Sequence, residues 1–136
     1  MRVLLDTNVI LDFVLNRPPF AANAAAILKA HQNGDIEAYI SAITPVNLYY
    51  IARKMKGAAE ARRLVGQVLA SVKVCSVDQS ILQIAHSLPF TDYEDAVQHA
   101  SATANKIDII VTRNLKDFRN ATLPVYSPSE FLKRLP

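Results

Sequence analysis

Residues 1–12 read MRVLLDTNVILD. Val3, Leu4 and Leu5 form a short apolar run, too short for a helix and characteristic of a strand buried on both faces. The run stops at Asp6, and Val9, Ile10, Phe13 and Val14 then recur at helical spacing. Asp6 is therefore expected where a buried parallel strand gives way to a helix. Ligands of open α/β sheets collect outside the carboxyl ends of the strands, so a carboxylate there is a functional candidate. Asp, Thr and Asn are also good helix N-caps, and this stretch alone leaves both readings open.

Beyond it, helical and strand patterns alternate. Residues 20–33 are alanine-rich and helical, and Asn33-Gly34-Asp35 stops them as a turn. Ile36 to Ile40 alternates apolar and polar residues as a short strand does. Thr44-Pro45 reads as N-cap and first helical residue of a helix that ends at Gly57. Residues 58–72 read as a helix, 72–76 as a strand, and 78–87 as a helix that Pro89 terminates. Thr91 and Glu94 have capping-box spacing at the head of a helix to about Asn105. Residues 107–112 form another buried strand and Val125-Tyr126 a last short one; Ser127 and Glu130 repeat the capping box before a C-terminal helix. Strands separated by helices imply an α/β fold, a three-layer α/β/α sandwich around a mainly parallel sheet of about five strands.

The composition narrows the class. A chain of 136 residues, 51% of them hydrophobic, is expected to form a single domain, 1–136, with a proper core. No apolar run approaches the roughly 18 residues of a membrane span, and a strand ending in Asp6 is not a signal peptide. Cys75, the only cysteine, lies among Val72, Val74 and Val77 and reads as a buried strand thiol. A cytoplasmic location fits this usage. The net charge of +3 permits nucleic acid as a partner without requiring it. His31, His86 and His99 match no zinc spacing, and three glycines cannot build a phosphate loop.

The chemistry gathers at strand ends and helix starts. Asp6 follows the first strand; Asp92, Glu94 and Asp95 stand in the first turn of the sixth helix; Asn114 and Asp117 follow the strand that ends at Thr112. Asp92 and Asp95, three apart, share a helix face. If the first strand neighbours that of residues 107–112, these groups converge on one sheet edge. Converging carboxylates repel unless a cation neutralises them, and Mg²⁺ or Mn²⁺ suits oxygen ligands and phosphate. Such an ion activates water against a phosphodiester. Each residue also has a plainer use. Asp92 can favour the helix dipole and Glu94 can close its capping box, while Asn114 and Asp117 can form turns.

Four stretches together carry a resemblance: LLDTNVILD at 4–12, SAITPVNLYYI at 41–51, DYEDAVQHASA at 92–102 and IVTRNLKDF at 110–118. In order and spacing they resemble the successive motifs of the PIN domain, over essentially the whole chain. The resemblance implies a compact α/β/α nuclease that cuts RNA with clustered acidic residues and Mg²⁺ or Mn²⁺. It implies a toxin of the VapC type, held inactive by a cognate antitoxin protein, and a homodimer. Asp6 matches the first acidic position and Asp95 the third. The second, normally Glu, is Asn47 here; the fourth is Asn114, with Asp117 three residues on. Thr112 matches the threonine that supports the site, and Asp92 adds a carboxylate. The catalytic set expected is thus Asp6, Asp95, Asp117, Asn47, Asn114 and Thr112, with Asp6, Asp95 and Asp92 on the metal. Asn47 brings an oxygen but no charge, so weaker metal binding or turnover is expected. It stands early in its helix, where it can instead satisfy a backbone group.

Arg113, Lys116 and Asn8 are the expected RNA contacts; cations there would offset repulsion between phosphate and carboxylates. The run from Arg53 to Arg63 reads first as a solvated helix face. Tyr49, Tyr50 and Tyr93 can stack on bases or pack with one polar tip exposed. His99, one turn beyond Asp95, is expected as a hydrogen-bonding neighbour of the site. Alanines at 21, 22, 24, 25 and 26 offer a smooth face for a second copy, an antitoxin helix or the core. Two rivals to a nuclease remain. One is a PIN-like module that binds RNA or protein with an impaired site. The other is a phosphatase-like hydrolase with Asp6 as nucleophile, which lacks a second Asp two positions on.

Overall fold

The computed structural model describes residues 1–135. Its sheet is five-stranded and all parallel, in the order β3-β2-β1-β4-β5. The strands are β1 (Arg2–Leu5), β2 (Glu37–Ser41), β3 (Lys73–Cys75), β4 (Ile109–Val111) and β5 (Val125–Tyr126). The helices are α1 (Thr7–Val14), α2 (Ala21–Gln32), α3 (Thr44–Lys56), α4 (Ala58–Ser71), α5 (Gln79–Ser87), α6 (Tyr93–Ala104) and α7 (Pro128–Leu132). A 3-10 turn, Leu115–Phe118, follows β4.

β1 is central, and its side chains divide the core. Val3 and Leu5 face one layer, with Val9 and Ile10 of α1, Ile27 of α2, Leu48 of α3, Leu64 of α4 and Phe131 of α7. Leu4 faces the other, with Cys75, Ala102 of α6, Ile110 and Phe118. All three β1 residues have no exposed surface, and full burial of each such side chain contributes roughly 1.5–3 kcal/mol. The period of two in a strand makes this division obligatory: neighbours must point to opposite faces.

The chain leaves β1 for β2 and β3 on one side, then crosses back to β4 and β5 on the other. The neighbours Leu5 and Val111 are in register. The point where the strand order reverses therefore lies between β1 and β4, and a crevice is expected at their carboxyl ends.

Local details depart from the expected ones at two helix starts. Thr44 is the first helical residue of α3 and not its cap; Ile43 takes that place without a side-chain cap. The Thr44 hydroxyl instead meets that of Thr7 at 2.9 Å, tying the starts of α1 and α3 together in the interior. Thr91 does not cap α6. Asp92 does, accepting from the Asp95 N–H at 3.0 Å, since a carboxylate is also favoured by the helix dipole. The Ser127–Glu130 capping box forms as expected. Among the described residues no helix is long and apolar enough to cross a membrane.

Candidate functional site

Asp6 is the first residue after β1, and Thr112 the first after the neighbouring strand β4. The ladder continues one step beyond the strands, through the Asp6 N–H to the Val111 carbonyl at 2.9 Å. This holds the Asp6 carboxyl directly over the switch point, only 4% exposed. Thr112 Oγ1 donates to its Oδ2 at 2.6 Å, and Gln98 Nε2 donates to its Oδ1 at 2.8 Å. The same Gln98 nitrogen lies 3.4 Å from Asp95 Oδ1. One amide on α6 thus spans two carboxylates from distant parts of the chain. Thr112 Oγ1 accepts in turn from Asn114 N–H at 3.0 Å and Asn8 Nδ2 at 3.4 Å.

Above Asp6 opens a cleft of about 240 Å³ lined by Asp6, Thr7, Asn8, Leu11, Ile51, Asp92, Glu94, Asp95, Asn114 and Asp117. Larger hollows occur elsewhere, such as that of about 540 Å³ between α2 and the end of α4, but no carboxylate lines it. Five carboxylates face the small cleft, and their chemistry is that of charges held together. Burial pushes Asp6 upward against the hydrogen bonds from Thr112, Gln98 and the Thr7 N–H, and the charge on Asp117 adds to the rise. Asp95 is pushed up to about 8, first by burial and then by Asp6, Asp92, Asp117 and Glu94. Glu94 is also raised by burial, while hydrogen bonds from Thr7 and Asn47 pull it back.

An all-oxygen set with unneutralised negative charge fits a hard divalent cation. The set is spread around the cleft: among the described residues no three His, Cys, Asp or Glu side chains are gathered closely enough to hold an ion.

The structure brings Asp6, Asp92, Asp95, Asn114, Asp117 and Asn8 to one cleft, with Thr112 beneath Asp6. Asn47 is not among the residues that line the cleft. Arg113 is placed otherwise than expected. Its Nε and an Nη donate to Asp12 at 2.6 and 3.2 Å, and its guanidinium lies 4.0 Å from the Phe20 ring centre. Asp12, 1% exposed, also takes Arg17 at 3.1 Å. A buried carboxylate must be paired, and that demand holds Arg113 on Asp12 and outside the lining of the cleft. Lys116 is exposed on the 3-10 turn between Asn114 and Asp117. His99 turns from the cleft, its Nε2 accepting from the Thr122 N–H at 3.0 Å, with Phe90 beside the ring. Tyr93 donates to the Leu82 carbonyl.

Two residues escape the sequence reading as site members, Gln98 and Thr7; Glu94, gathered there with the other carboxylates and with capping as its plainer use, lines the cleft. For Gln98 a signal existed, since it stands three residues after Asp95 on the same helix face.

The family described as "PIN domain" matches residues 2–116. No curated protein matches in sequence. Solved structures match closely in shape. VapBC2 from Rickettsia felis, bound to a DNA fragment from its promoter, superposes with a TM-score of 0.74 at 18% identity, covering 92% of this chain and 97% of that one. A toxin-antitoxin complex from Klebsiella pneumoniae gives 0.68 at 26% identity, covering 93% and 97%. VapC20 from Mycobacterium tuberculosis, a sarcin-ricin loop cleaving toxin, gives 0.64 at 12% identity, covering 79% and 86%.

Proposed function

Since this chain belongs to the PIN domain family, we propose that it is a divalent-metal-dependent endoribonuclease, the toxin of a toxin-antitoxin pair. The observation that carries the reading is the Gln98 amide spanning Asp6 and Asp95, with Asp6 and Gln98 separated by 92 positions, at the floor of an acid-lined cleft. Such a gathering of like charges is unfavourable for folding alone and is retained where function uses it. VapC20, similar in fold, is a sarcin-ricin loop cleaving toxin.

Asp6 and Asp95 would hold Mg²⁺ or Mn²⁺, with Asp92 or Asp117 completing the set. When bound, the cation supplies Lewis acidity and a water of lowered pKa for attack on the phosphodiester. The residues of the chain do the rest. Thr112 and Gln98 fix both oxygens of Asp6, so its carboxylate needs no reorganisation. Asn114 and Asn8, tied to Thr112, order the rim on which RNA rests. Lys116 is exposed and can meet a phosphate, whereas Arg113 is held by Asp12. Burial and the neighbouring carboxylates push Asp95 up to about 8, so a bound cation would displace a proton there and would be favoured as pH rises.

The test is cleavage of single-stranded and structured RNA by the purified chain with Mn²⁺. Asp6→Asn and Asp95→Asn are each expected to abolish it; cutting by both at the wild-type rate would place the activity elsewhere. A second reading, an RNA- or protein-binding module with an impaired site, is favoured by Asn47 and by the spread of the carboxylates. RNA retention without cleavage in Mg²⁺ and Mn²⁺ would select it.

The partner proposed is an antitoxin protein, the component that accompanies the toxin in the Klebsiella complex. α3 and α4 expose several apolar side chains: Val46 is 56% exposed, Tyr50 56%, Met55 60% and Leu69 50%. A groove of about 460 Å³ runs between these helices, with Arg62 at its edge. This face suits an amphipathic helix better than the alanines of α2, of which Ala24 is already buried in the core. Homodimerisation is the accompanying expectation, and sedimentation of the chain with and without antitoxin separates the two.

A further inference from the structure

A second hollow opens on the same edge of the sheet. Asp6, Thr112 and Ser127 are the first residues after β1, β4 and β5, and the Thr112 N–H reaches the Tyr126 carbonyl at 3.0 Å. The ends of β4 and β5 therefore stand side by side, as those of β1 and β4 do at the cleft. Beyond them lies a groove of about 440 Å³ lined in part by Phe20, Asn23, Arg113, Ser127 and Ser129. Consecutive residues join it to the acid-lined cleft, for Arg113 lines the groove and Asn114 the cleft. The backbone N–H of Arg113 also donates at 3.4 Å to Oδ1 of Asn8, another cleft residue.

This groove has the parts of a platform for a base. Phe20 is 40% exposed. The Arg113 guanidinium lies over its ring, 4.0 Å from the centre, and Asp12 clamps that guanidinium through Nε and one Nη. The other Nη makes no hydrogen bond among the described residues. A clamped cation against one ring fixes the plane of both, so little order has to be created when a base stacks there. The Asn23 amide and the Ser129 hydroxyl supply donors and acceptors for a base edge. The charge has the sign that RNA requires. Arg17 and Arg113 share the single buried carboxylate of Asp12, which leaves one positive charge in excess. Glu130, the acid on α7, is turned to the Ser127 N–H. An aromatic face beside an excess cation suits single-stranded nucleic acid, because every base offers a π-face and every phosphate a negative charge.

We propose that this groove is an RNA subsite, in which a nucleotide flanking the scissile phosphate stacks on Phe20 while the excess charge around Arg113 draws its phosphate. The proposal rests on the ribonuclease reading above, and it gives Arg113 a place beside the cut instead of at it.

The test uses a short fluorescein-labelled single-stranded RNA of mixed sequence, with chelator present so that nothing is cut. The chain has no tryptophan, so the indole emission of a Phe20→Trp variant reports on this position alone. RNA is expected to quench that emission by stacking, whereas poly-glutamate, which has charge but no base, leaves it bright. By fluorescence anisotropy Phe20→Leu, which keeps apolar bulk but loses the flat ring, is expected to weaken RNA at least about 5-fold. Phe20→Trp is expected to bind RNA at least as tightly as wild type. RNA bound without quenching overturns the subsite and leaves the RNA reading standing. Wild-type affinity in Phe20→Leu does the same, and a lowered melting temperature with that affinity assigns Phe20 to packing. Equal quenching by poly-glutamate gives the groove to acidic polypeptides and overturns the proposal. If wild type and variants alike fail to bind RNA, the ribonuclease reading fails and the subsite falls with it.

Discussion

Single side chains at the floor of the cleft carry opposite burdens. Thr112 donates to a buried carboxylate at 2.6 Å, and a hydrogen bond to a charged group contributes about 1.5–3 kcal/mol. Thr112→Val is expected to cost that much in urea unfolding at pH 8, and Thr112→Ser far less. Asp95 acts the other way. Its pKa is about 8 in the fold against 3.8 for the free group. The folded chain therefore binds more protons across that interval, so metal-free stability falls as pH rises from about 4 to about 8. Asp95→Asn should flatten this decline in melting temperatures recorded with chelator; an unchanged profile would show that Asp95 is not its source. The pair around Asp12 bears on stability. Arg113 grips it through two nitrogens with its side chain 26% exposed, while Arg17 uses one at 37% exposure. Breaking a buried pair from one side is strongly destabilising, so Arg113→Met should unfold at lower urea than Arg17→Met. The reverse order would mean that the guanidinium of Arg113 is held elsewhere.

At the scale of elements, helix starts do most of the positioning. α1 and α6 both begin at the cleft, and the Thr7–Thr44 contact fixes α3 against α1. The capping pattern tells which residues matter. Asp78 caps α5 by accepting from Ile81 N–H at 2.9 Å, and its replacement by Ala should cost about 1 kcal/mol. Thr91→Ala, at a position with capping-box spacing but no cap, should stay within about 0.5 kcal/mol. Equal losses in chemical denaturation would return the cap of α6 to Thr91. Two candidates one residue apart, Thr91 and Asp92, are hard to rank from spacing alone. The choice falls to the backbone angle at which the chain enters the helix, which depends on α5 and the segment that follows it.

At the scale of the molecule, a parallel sheet reversing its order at β1/β4 makes the crevice, and the apolar face of α3 and α4 lies apart from it. Leu69→Asp, on that face and 50% exposed, is expected to leave folding stability within about 0.5 kcal/mol while lowering affinity for the antitoxin in a pull-down with purified partner. Undiminished binding would move the partner to another face. The alternation of apolar runs and helical spacing was enough to specify an α/β fold with Asp6 and Thr112 at strand ends, because burial on both faces of a parallel strand leaves a local signature in composition. It was also enough to mark the acidic groups, since strand ends and first helical turns are recognisable one by one. The pairing of β1 with β4, the bridging amide of Gln98 and the capture of Arg113 by Asp12 were decided only in three dimensions. Each joins residues remote along the chain or chooses among local partners of similar strength, and such choices depend on distances that folding alone creates.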